Sequence, residues 1–256
     1  MRIARAAHAG GIGYGVVEGE RLTLLDDPHT LPTDRHAVNP GRTSFRLRDV
    51  RLLAPVEPRT IVGMAHNTGP ADRNLPPQAF LKPARSAIGP HEAIPLAAAI
   101  GRVDVEGELA VVIGRPARHL RPVDALDAVL GYTVANDVTA RDLQQVDPLW
   151  TTAKGYDGFT PLGPWIETDL DPSDAVVRIH VNGSPLAPAS TARLARDVTE
   201  ILVYLTSFMT LGPGDVVLTG APGQYAAIHP GDQVTVTVDG IGSLHNSATQ
   251  LTGAPA

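Results

Sequence analysis

The segment VDVEGELAVVIG, residues 103–114, places three carboxylates in a run that otherwise has the composition of a buried β-strand. Side chains on a strand alternate between its two faces, so Asp104, Glu106 and Glu108 share one face and the larger apolar residues share the other. Burying like charges together is costly unless a cation or hydrogen bonds compensate. The segment is therefore either a half-exposed strand with a solvated acidic face or the wall of a cation site.

The composition limits which classes of function need to be considered. The chain has 256 residues, 43% of them hydrophobic, and a formal net charge of -6, which suits a globular protein and gives no reason to expect a nucleic-acid partner. No apolar run approaches the ~18 residues of a membrane span, and the N-terminus lacks a secretory signal, so we expect no membrane contact and a cytoplasmic location. Because cysteine is absent, any catalysis must use oxygen and nitrogen groups.

The chain divides into two predicted units. Residues 1–58 alternate in short pieces and predict a small β-rich N-terminal domain that ends where Pro55 and Pro58 interrupt regular pairing. Residues 59–256 form the second unit, in which six apolar segments predict strands: TIVGMA, GELAVVIG, GYTVANDV, AVVRIHVNG, DVVLTG and DQVTVTVDG. Apolar residues at helical spacing predict helices over 122–130 and over 195–209. The predicted fold is therefore mixed, β-rich and poor in helix.

A further carboxylate follows the second apolar strand of this unit. Residues 131–145, GYTVANDVTARDLQQ, end that strand at Asn136 and Asp137 and pass into a polar, helix-compatible turn. Asp137 alone is equally well read as an ordinary turn residue. Together with Glu106 and Glu108 it would form an all-oxygen triad suited to a hard cation such as Mg²⁺ or Mn²⁺.

Two glycine-rich segments offer candidate site walls, each with a plainer alternative. Residues 151–165, TTAKGYDGFTPLGPW, predict one loop around Lys154. Lys154 is either a solvated charge or, beside a metal, a group that stabilises an enolate or carboxylate. Residues 216–224 turn at Thr219 and Gly220, where the hydroxyl and backbone N–H groups either hold an anionic oxygen or belong to an ordinary loop.

Taken together, these segments resemble the fumarylacetoacetate hydrolase family from about residue 50 to the end. The resemblance rests on EGE, NDVTARD, KGYDGFTPLGP and the Thr-Gly turn, in that order. It implies a distorted β-barrel or roll behind a small N-terminal domain, usually in a homodimer. It also implies roles for individual residues: metal ligation by Glu106, Glu108 and Asp137, catalysis by Lys154, and substrate binding by Arg141, Gln144, Thr219 and Gly220. Asp104 then lies behind the ligands or is exposed, and Lys82 matches a family lysine to which no role is assigned.

One region departs from the family pattern. Many hydrolytic members carry a His and a Glu about three residues apart on a lid that activates water. Here the region reads GMAHNTGPADRNLPPQAFLKP, with His66 early, no following Glu, and Asp72 as its acid. Either His66 is a catalytic residue that works differently, or it is an ordinary loop or core histidine and no water is activated.

The resemblance leaves several activities on a small 2-oxo acid open. The leading hypothesis is hydrolytic cleavage of a C–C bond in an acylpyruvate, the family's commonest activity. The rival needs no activated water: decarboxylation of a β-keto acid such as oxaloacetate, or enol–keto isomerisation of an unsaturated 2-oxo diacid. A lyase or dehydratase acting on a sugar-derived 2-oxo acid and a catalytically silent β-rich module are the remaining hypotheses.

Overall fold

Strands dominate the architecture. The computed structural model describes residues 1–223 and 225–251. Its strands, in chain order, are β1 (Arg2–His8), β2 (Gly11–Glu18), β3 (Arg21–Leu25), β4 (Pro40–Arg46), β5 (Arg51–Leu52), β6 (Ile61–Ala65), β7 (Gln78–Lys82), β8 (Ala87–Ile88), β9 (Ala93–Leu96), β10 (Val103–Val105), β11 (Gly107–Ile113), β12 (Val129–Asn136), β13 (Thr139–Ala140), β14 (Thr160–Glu167), β15 (Val176–Val181), β16 (Ser184–Pro185), β17 (Ala189–Ser190), β18 (Val216–Leu218), β19 (Ala226–Ile228), β20 (Gln233–Val238) and β21 (Gly242–Gln250).

Helices are few and short. The α-helices are α1 (Arg141–Val146), α2 (Thr151–Lys154) and α3 (Val198–Phe208), and short 3-10 helices such as Pro70–Asn74 lie elsewhere along the chain. No helix within the described ranges is long and apolar enough to cross a membrane. The mixed, β-rich fold predicted from the sequence is confirmed.

The largest sheet runs through the whole molecule. Its main path, over the described residues, has the strand order β4-β3-β2-β1-β14-β12-β11-β18-β6-β7, with β5 and β8 pairing at its sides. Strand β1 of the N-terminal region pairs antiparallel with β14, where Ile3 lies opposite Ile166. The N-terminal strands therefore extend the main sheet, and the division between 1–58 and 59–256 stays a prediction.

Strand β11 lies at the centre of this sheet and is buried on both faces. Leu109, Val111 and Ile113 pack into the main core, whereas Ala110 and Val112 pack into a second core on the opposite face. The half-exposed strand considered from the sequence is therefore wrong. The burial removes water from any carboxylate that β11 carries, and the cost must be met inside the protein.

A second sheet packs against β11 and closes the main core. Its order is β16-β15-β20-β21-β9, with β17 pairing with β15. A Cβ on Gly107 would lie 2.8 Å from side-chain carbons of Ile179 in β15 and of Val236 in β20. Because no real Cβ approaches so closely, Gly107 is the residue that lets the two sheets meet beside the acidic segment.

The acidic segment itself is two strands rather than one. Strand β10 ends at Val105 and pairs with β13 and β19 in a separate three-stranded sheet, while β11 begins at Gly107. Glu106 lies between them, and its backbone N–H donates to the side-chain oxygen of Asn136 at 3.0 Å instead of to a strand partner. This side-chain bond interrupts the ladder, so the prediction of one continuous strand is wrong.

The helix predicted over 195–209 is confirmed as α3, which spans Val198–Phe208. It begins at Val198 because Asp197 caps it, accepting from the Glu200 N–H at 2.8 Å while the Glu200 carboxylate accepts from the Asp197 N–H at 3.2 Å. Its apolar face enters the main core, including Ile201 and Leu202.

The helix predicted over 122–130 is wrong in type and length. Pro122–Ala128 is a 3-10 helix, and Val129 and Leu130 already belong to β12. With three residues per turn, the buried side chains are Ala125 and Ala128. The larger apolar residues that suggested an α-helix are exposed at the surface or belong to the strand.

Residues 151–165 were expected to form one loop, and this is also wrong. The segment starts as helix α2, and its end lies in β14, where Leu162 pairs with Ala135. Only the stretch between Lys154 and Thr160 is a loop. Lys154 itself is the last residue of α2 and is buried in the interior of the fold.

Candidate metal centre and pocket

The structure brings three carboxylates together where β11 and β12 pair. Glu106 occupies the break before β11, Glu108 is the second residue of β11, and Asp137 directly follows β12. The Asp137 N–H donates to the Glu106 carbonyl at 2.8 Å, which fixes the ends of the two strands to each other. One oxygen from each carboxylate lies within 4.8 Å of the others, and all three residues are buried.

Two buried lysines approach this triad from different elements. Lys154, at the end of α2, donates to Glu106 Oε2 at 2.8 Å and to the Thr139 hydroxyl at 2.6 Å, and it also binds Asp137 Oδ2. Lys82, at the end of β7, donates to the other Asp137 oxygen at 2.5 Å and to the Val138 carbonyl at 3.2 Å. Asp137 is thus held between two ammonium groups.

Glu106 and Glu108 differ in their electrostatic surroundings. Burial raises the pKa of the Glu106 carboxyl, but the charges of Lys154 and Arg141 outweigh it and lower the pKa to about 2. Glu108 has no ion-pair partner among the described residues; it accepts only the Gly220 N–H at 2.7 Å. Burial and the neighbouring charges of Asp137 and Glu106 therefore raise the pKa of Glu108 well above its ordinary value.

The donor set fits a hard divalent cation. All three ligands are oxygens, all are buried, and the raised pKa of Glu108 marks an excess of negative charge that a cation would relieve. The sequence prediction of an all-oxygen triad therefore corresponds to a real spatial cluster in the fold.

A cavity of about 240 Å³ opens beside the triad. The residues predicted from the sequence that line it are Glu106, Glu108, Asp137, Lys154, His66, Arg141, Gln144 and Gly220. Gly220 has φ of 103°, which turns its N–H toward Glu108, and a Cβ there would lie 2.2 Å from the Asn67 carbonyl oxygen. Thr219 is buried and does not line the cavity: its hydroxyl donates to the Leu109 carbonyl at 2.8 Å. Its substrate-binding role stays a prediction.

The wall formed by residues 66–72 is more open than the carboxylate wall. His66 is exposed and has φ of 51°. Its ring makes an edge-to-face contact with Trp150, with 5.6 Å between the ring centroids. Asp72 accepts from the Thr68 N–H at 2.9 Å, the Thr68 hydroxyl at 2.8 Å and the Gly69 N–H at 3.3 Å. Its slight burial raises the pKa of Asp72, but these hydrogen bonds and the nearby His66 lower it overall.

The comparisons with known proteins agree with this site. The profile described as "Fumarylacetoacetate (FAA) hydrolase C-terminal" matches residues 54–249, and the profile "Rv2993c-like, N-terminal" matches residues 1–55. The chain belongs to the fumarylacetoacetate hydrolase family. It is therefore a metal-dependent enzyme of a family that includes hydrolases, isomerases and tautomerases, and the hypothesis of a catalytically silent module is wrong.

Two proteins of similar sequence align with most of this chain. Protein Rv2993c of Mycobacterium tuberculosis is 41% identical over 265 residues, which cover 96% of this chain and 97% of the relative. An oxaloacetate tautomerase of Xenopus laevis is 33% identical over 235 residues, which cover 84% of this chain and 74% of the relative.

Two solved structures share its fold over nearly the full length. The 2-hydroxyhepta-2,4-diene-1,7-dioate isomerase of Mycobacterium marinum superposes with a TM-score of 0.92 at 40% identity, covering 99% of this chain and all of that one. The maleylpyruvate hydrolase of Sphingobium sp. SYK-6, in complex with manganese(II) and pyruvate, superposes with a TM-score of 0.82 at 28% identity, covering 98% and 99% of the two chains.

Sequence reasoning did not find several side chains of this family member's pocket. Phe80 lies beneath Lys154, with the ammonium 4.9 Å from the ring centroid, and Trp150 lines the cavity beside His66. Tyr225 stacks on Arg141 at 4.2 Å. Strand alternation in QAFLK sends Phe80 and Lys82 to the same face, which is the one signal that links these two residues before the structure is known.

Asp104 lies in the interior of the protein, behind the metal ligands. Asp104 is completely buried and accepts from Arg102 Nε at 2.8 Å and from Arg141 Nε at 2.7 Å. The alternative of an exposed Asp104 is wrong, because every residue of β10 is buried and the strand has no solvated face.

Proposed function

We propose that this enzyme catalyses enol–keto isomerisation of a small 2-oxo diacid with Mg²⁺ or Mn²⁺, rather than hydrolysis of a C–C bond. The observation that carries the proposal is the state of the acid on the 66–72 wall. Asp72 accepts three hydrogen bonds from its own loop and has a lowered pKa, so it is a poor base for activating water. The isomerase and tautomerase activities named for two of the similar proteins support the same reaction.

In this proposal Glu106, Glu108 and Asp137 hold the cation. When bound, the cation supplies Lewis-acid polarisation of the 2-oxo group. Lys154 reaches both Glu106 and Asp137, so its ammonium is fixed beside the triad, where it stabilises negative charge on the substrate oxygen.

The proton transfer is assigned to His66. Its imidazole is exposed on the opposite wall of the cavity, where it can exchange a proton with the substrate carbon next to the 2-oxo group and with solvent. Arg141 and Gln144, joined by a 2.8 Å hydrogen bond, bind the second carboxylate. Gly220 completes the proposed binding set, with its N–H acting through Glu108, and Thr219 supports this turn from behind through its hydrogen bond to the Leu109 carbonyl.

Hydrolysis of an acylpyruvate is the second candidate. The similarity to a maleylpyruvate hydrolase whose structure contains manganese(II) and pyruvate favours it. In that case His66 would have to activate water without the help of a neighbouring glutamate.

A panel assay separates the candidates. The Mn²⁺-loaded enzyme is tested with acetylpyruvate, with freshly dissolved enolic oxaloacetate and with a 2-hydroxy-dienedioate. We expect loss of the enol absorbance of the two diacids without release of carbon dioxide or of a cleavage product. Release of pyruvate from acetylpyruvate at a higher kcat/KM than either diacid reaction would contradict the proposal and establish the hydrolase.

We also propose a homodimer formed through the face around edge strand β7. Among the described residues β7 pairs with β6 alone, and large apolar side chains are exposed beside its other edge: Leu81 is 63%, Leu149 78% and Phe208 54% exposed. Light scattering after gel filtration should give twice the 26.9 kDa chain mass, and Leu81→Glu should give the monomer mass. A wild-type monomer mass would contradict this. The cytoplasmic location stays a prediction.

A further inference from the structure

Asp104 is a buried charge that the proposed chemistry does not use. It is fully buried and does not line the cavity, yet it carries two ion pairs, with Arg102 and with Arg141. A buried ion pair contributes little net stability compared with apolar residues of the same size, so its presence calls for a reason other than stability. The two arginines differ: the Arg102 side chain is 52% exposed and Arg141 is 18% exposed.

Arg141 has most of its hydrogen-bonding capacity committed. Its Nε donates to Asp104, one terminal nitrogen donates to Gln144 at 2.8 Å, and the other donates to Glu106. A guanidinium has five N–H groups, so two remain, one on each terminal nitrogen. The Tyr225 ring covers one face of the group at 4.2 Å. The plane of the guanidinium is thus fixed while its two free N–H groups remain available beside the cavity that Arg141 lines.

Of these contacts, the one to Asp104 fixes the orientation of the guanidinium group relative to the rest of the Arg141 side chain. Nε is the nitrogen joined to the side chain, and a partner there sets the direction in which the two terminal nitrogens point. Asp104 is suited to this because it belongs to the central strand of the three-stranded sheet, with Thr139 and Ala227 as its pairing partners. Gln144, by contrast, lies on the short helix α1 with Arg141 itself.

We propose that Asp104 is a positioning residue for substrate selection: by fixing Arg141 it makes the pocket select 2-oxo acids that carry a second carboxylate. This inference rests on the proposed function, because it needs a 2-oxo acid at the triad. The two free N–H groups of Arg141, one on each terminal nitrogen, can donate to the two oxygens of a carboxylate. The second carboxylate is therefore recognised by the N–H groups that Glu106 and Gln144 leave free, and a 2-oxo acid without a second carboxylate leaves them unused.

The test compares two ligands that share the 2-oxo acid end. Binding of 2-oxoglutarate and of pyruvate to the Mn²⁺-loaded protein is measured by calorimetry for the wild type, Asp104→Ala, Asp104→Asn and Arg102→Ala. For Asp104→Ala we expect the Kd of 2-oxoglutarate to rise about 10- to 100-fold, the loss of a charged hydrogen bond, and the Kd of pyruvate to stay within about threefold.

The two other variants separate positioning from general damage to the fold. Asp104→Asn keeps an oxygen that can accept from Arg141 Nε, so we expect it to restore most of the diacid affinity. Arg102→Ala removes the other partner of Asp104 without touching the cavity, and we expect a change of less than about threefold. Thermal unfolding with and without Mn²⁺ shows whether each variant is folded.

The possible outcomes are distinguishable. If the wild type binds neither ligand in the presence of Mn²⁺, the proposed function fails and the inference fails with it. If the wild type binds both and Asp104→Ala weakens them equally, or weakens neither, the inference alone is overturned. An Asp104→Asn variant as weak as Asp104→Ala would also overturn it, because the amide oxygen preserves the positioning bond.

Discussion

The two walls of the cavity are built in opposite ways. The strand wall, formed by Glu106, Glu108 and Asp137, is buried, and its partners come from sequence positions as distant as Lys82 and Gly220. The loop wall, residues 66–72, is partly exposed, and its acid bonds only to the loop itself. Contacts between distant elements make the strand wall rigid and suited to fixing charge. Apart from buried Asn67, which donates to the Arg196 and Thr219 carbonyls, the side chains of the loop wall can vary without disturbing the fold, so we expect them to determine which reaction follows.

The largest effect should come from removing a ligand of the strand wall. Glu108→Gln keeps the shape of the side chain and can still accept the Gly220 N–H, but it loses the charge that a cation needs. We expect turnover to fall about 10³-fold or more and the stabilisation by Mn²⁺ to disappear. Enol loss and thermal unfolding with Mn²⁺ measure the two effects. Retention of the Mn²⁺-dependent shift in Tm would contradict the assignment of Glu108 as a ligand.

Stability without metal should distinguish Glu106 from Glu108. Glu106→Gln leaves the buried ammonium of Lys154 with one carboxylate fewer, so the free energy of unfolding should fall by about 3 kcal/mol. Glu108→Gln resembles the protonated side chain that the raised pKa already favours, so its effect should stay within about 1 kcal/mol. Urea unfolding in the presence of a chelator compares them. Equal losses would contradict the electrostatic difference between the two residues.

The proton transfer should depend on the loop wall alone. His66→Gln is expected to lower kcat for isomerisation about 100-fold, the usual contribution of a general acid or base, while leaving the Kd of Mn²⁺ unchanged. Steady-state kinetics and calorimetry on the same preparation test this. A weaker Mn²⁺ affinity in this variant would place His66 with the metal ligands instead and remove the distinction between the walls.

The pH dependence of metal binding should follow Glu108. Its folded pKa is raised, so as pH rises above the ordinary value of 4.5 the metal-free fold loses stability relative to the unfolded chain, which releases its proton first. Glu106 behaves oppositely: its stabilisation is present above 4.5 and is lost as pH falls toward about 2. Cation binding should therefore release a proton from Glu108, and affinity should rise up to tenfold per pH unit below its folded pKa. Calorimetry in buffers of different ionisation enthalpy counts that proton, and a count of zero at every pH above the ordinary value of 4.5 would contradict the shift.

The smallest effect is expected at Asp72. Because its carboxylate serves as a local acceptor for Thr68 and Gly69, Asp72→Asn should cost about 1 kcal/mol of stability and change kcat less than about threefold. A 100-fold loss of activity on acetylpyruvate would show that Asp72 activates water. That result would favour hydrolysis over isomerisation.

The sequence predicted the strand wall better than its surroundings. Two local patterns identify Glu106, Glu108 and Asp137: acids that alternate in an apolar run and an acid at a strand end. Such patterns show which buried charges require a neutralising partner. The break at Glu106 was missed because it depends on a bond to Asn136, 30 residues away. Hydrophobic periodicity alone likewise cannot distinguish the 3-10 helix Pro122–Ala128 from an α-helix. Two of the apolar residues that suggested the α-helix, Val129 and Leu130, belong to strand β12.

The ion pairs made by the lysine and arginine side chains were the least predictable part of the site. Lys82 meets Asp137 across 55 residues, and Asp104 meets Arg141 across 37 residues from a strand, β10, that leaves the main sheet to pair with β13 and β19. Sheet membership and register are properties of the whole fold, so no local pattern contains them. The role of His66 also stays a prediction, since its exposed position fits proton transfer and a plain loop position alike.

Proton exchange measured by NMR tests the central claim most directly. A 2-oxo diacid is incubated in D₂O with the Mg²⁺-loaded enzyme, and the signal of the protons next to the 2-oxo group is followed over time. The account predicts enzyme-dependent exchange that stops when Mg²⁺ is chelated or Glu108 is replaced by Gln, with no cleavage product. Exchange that persists in the chelated enzyme, or formation of pyruvate without prior exchange, would contradict it.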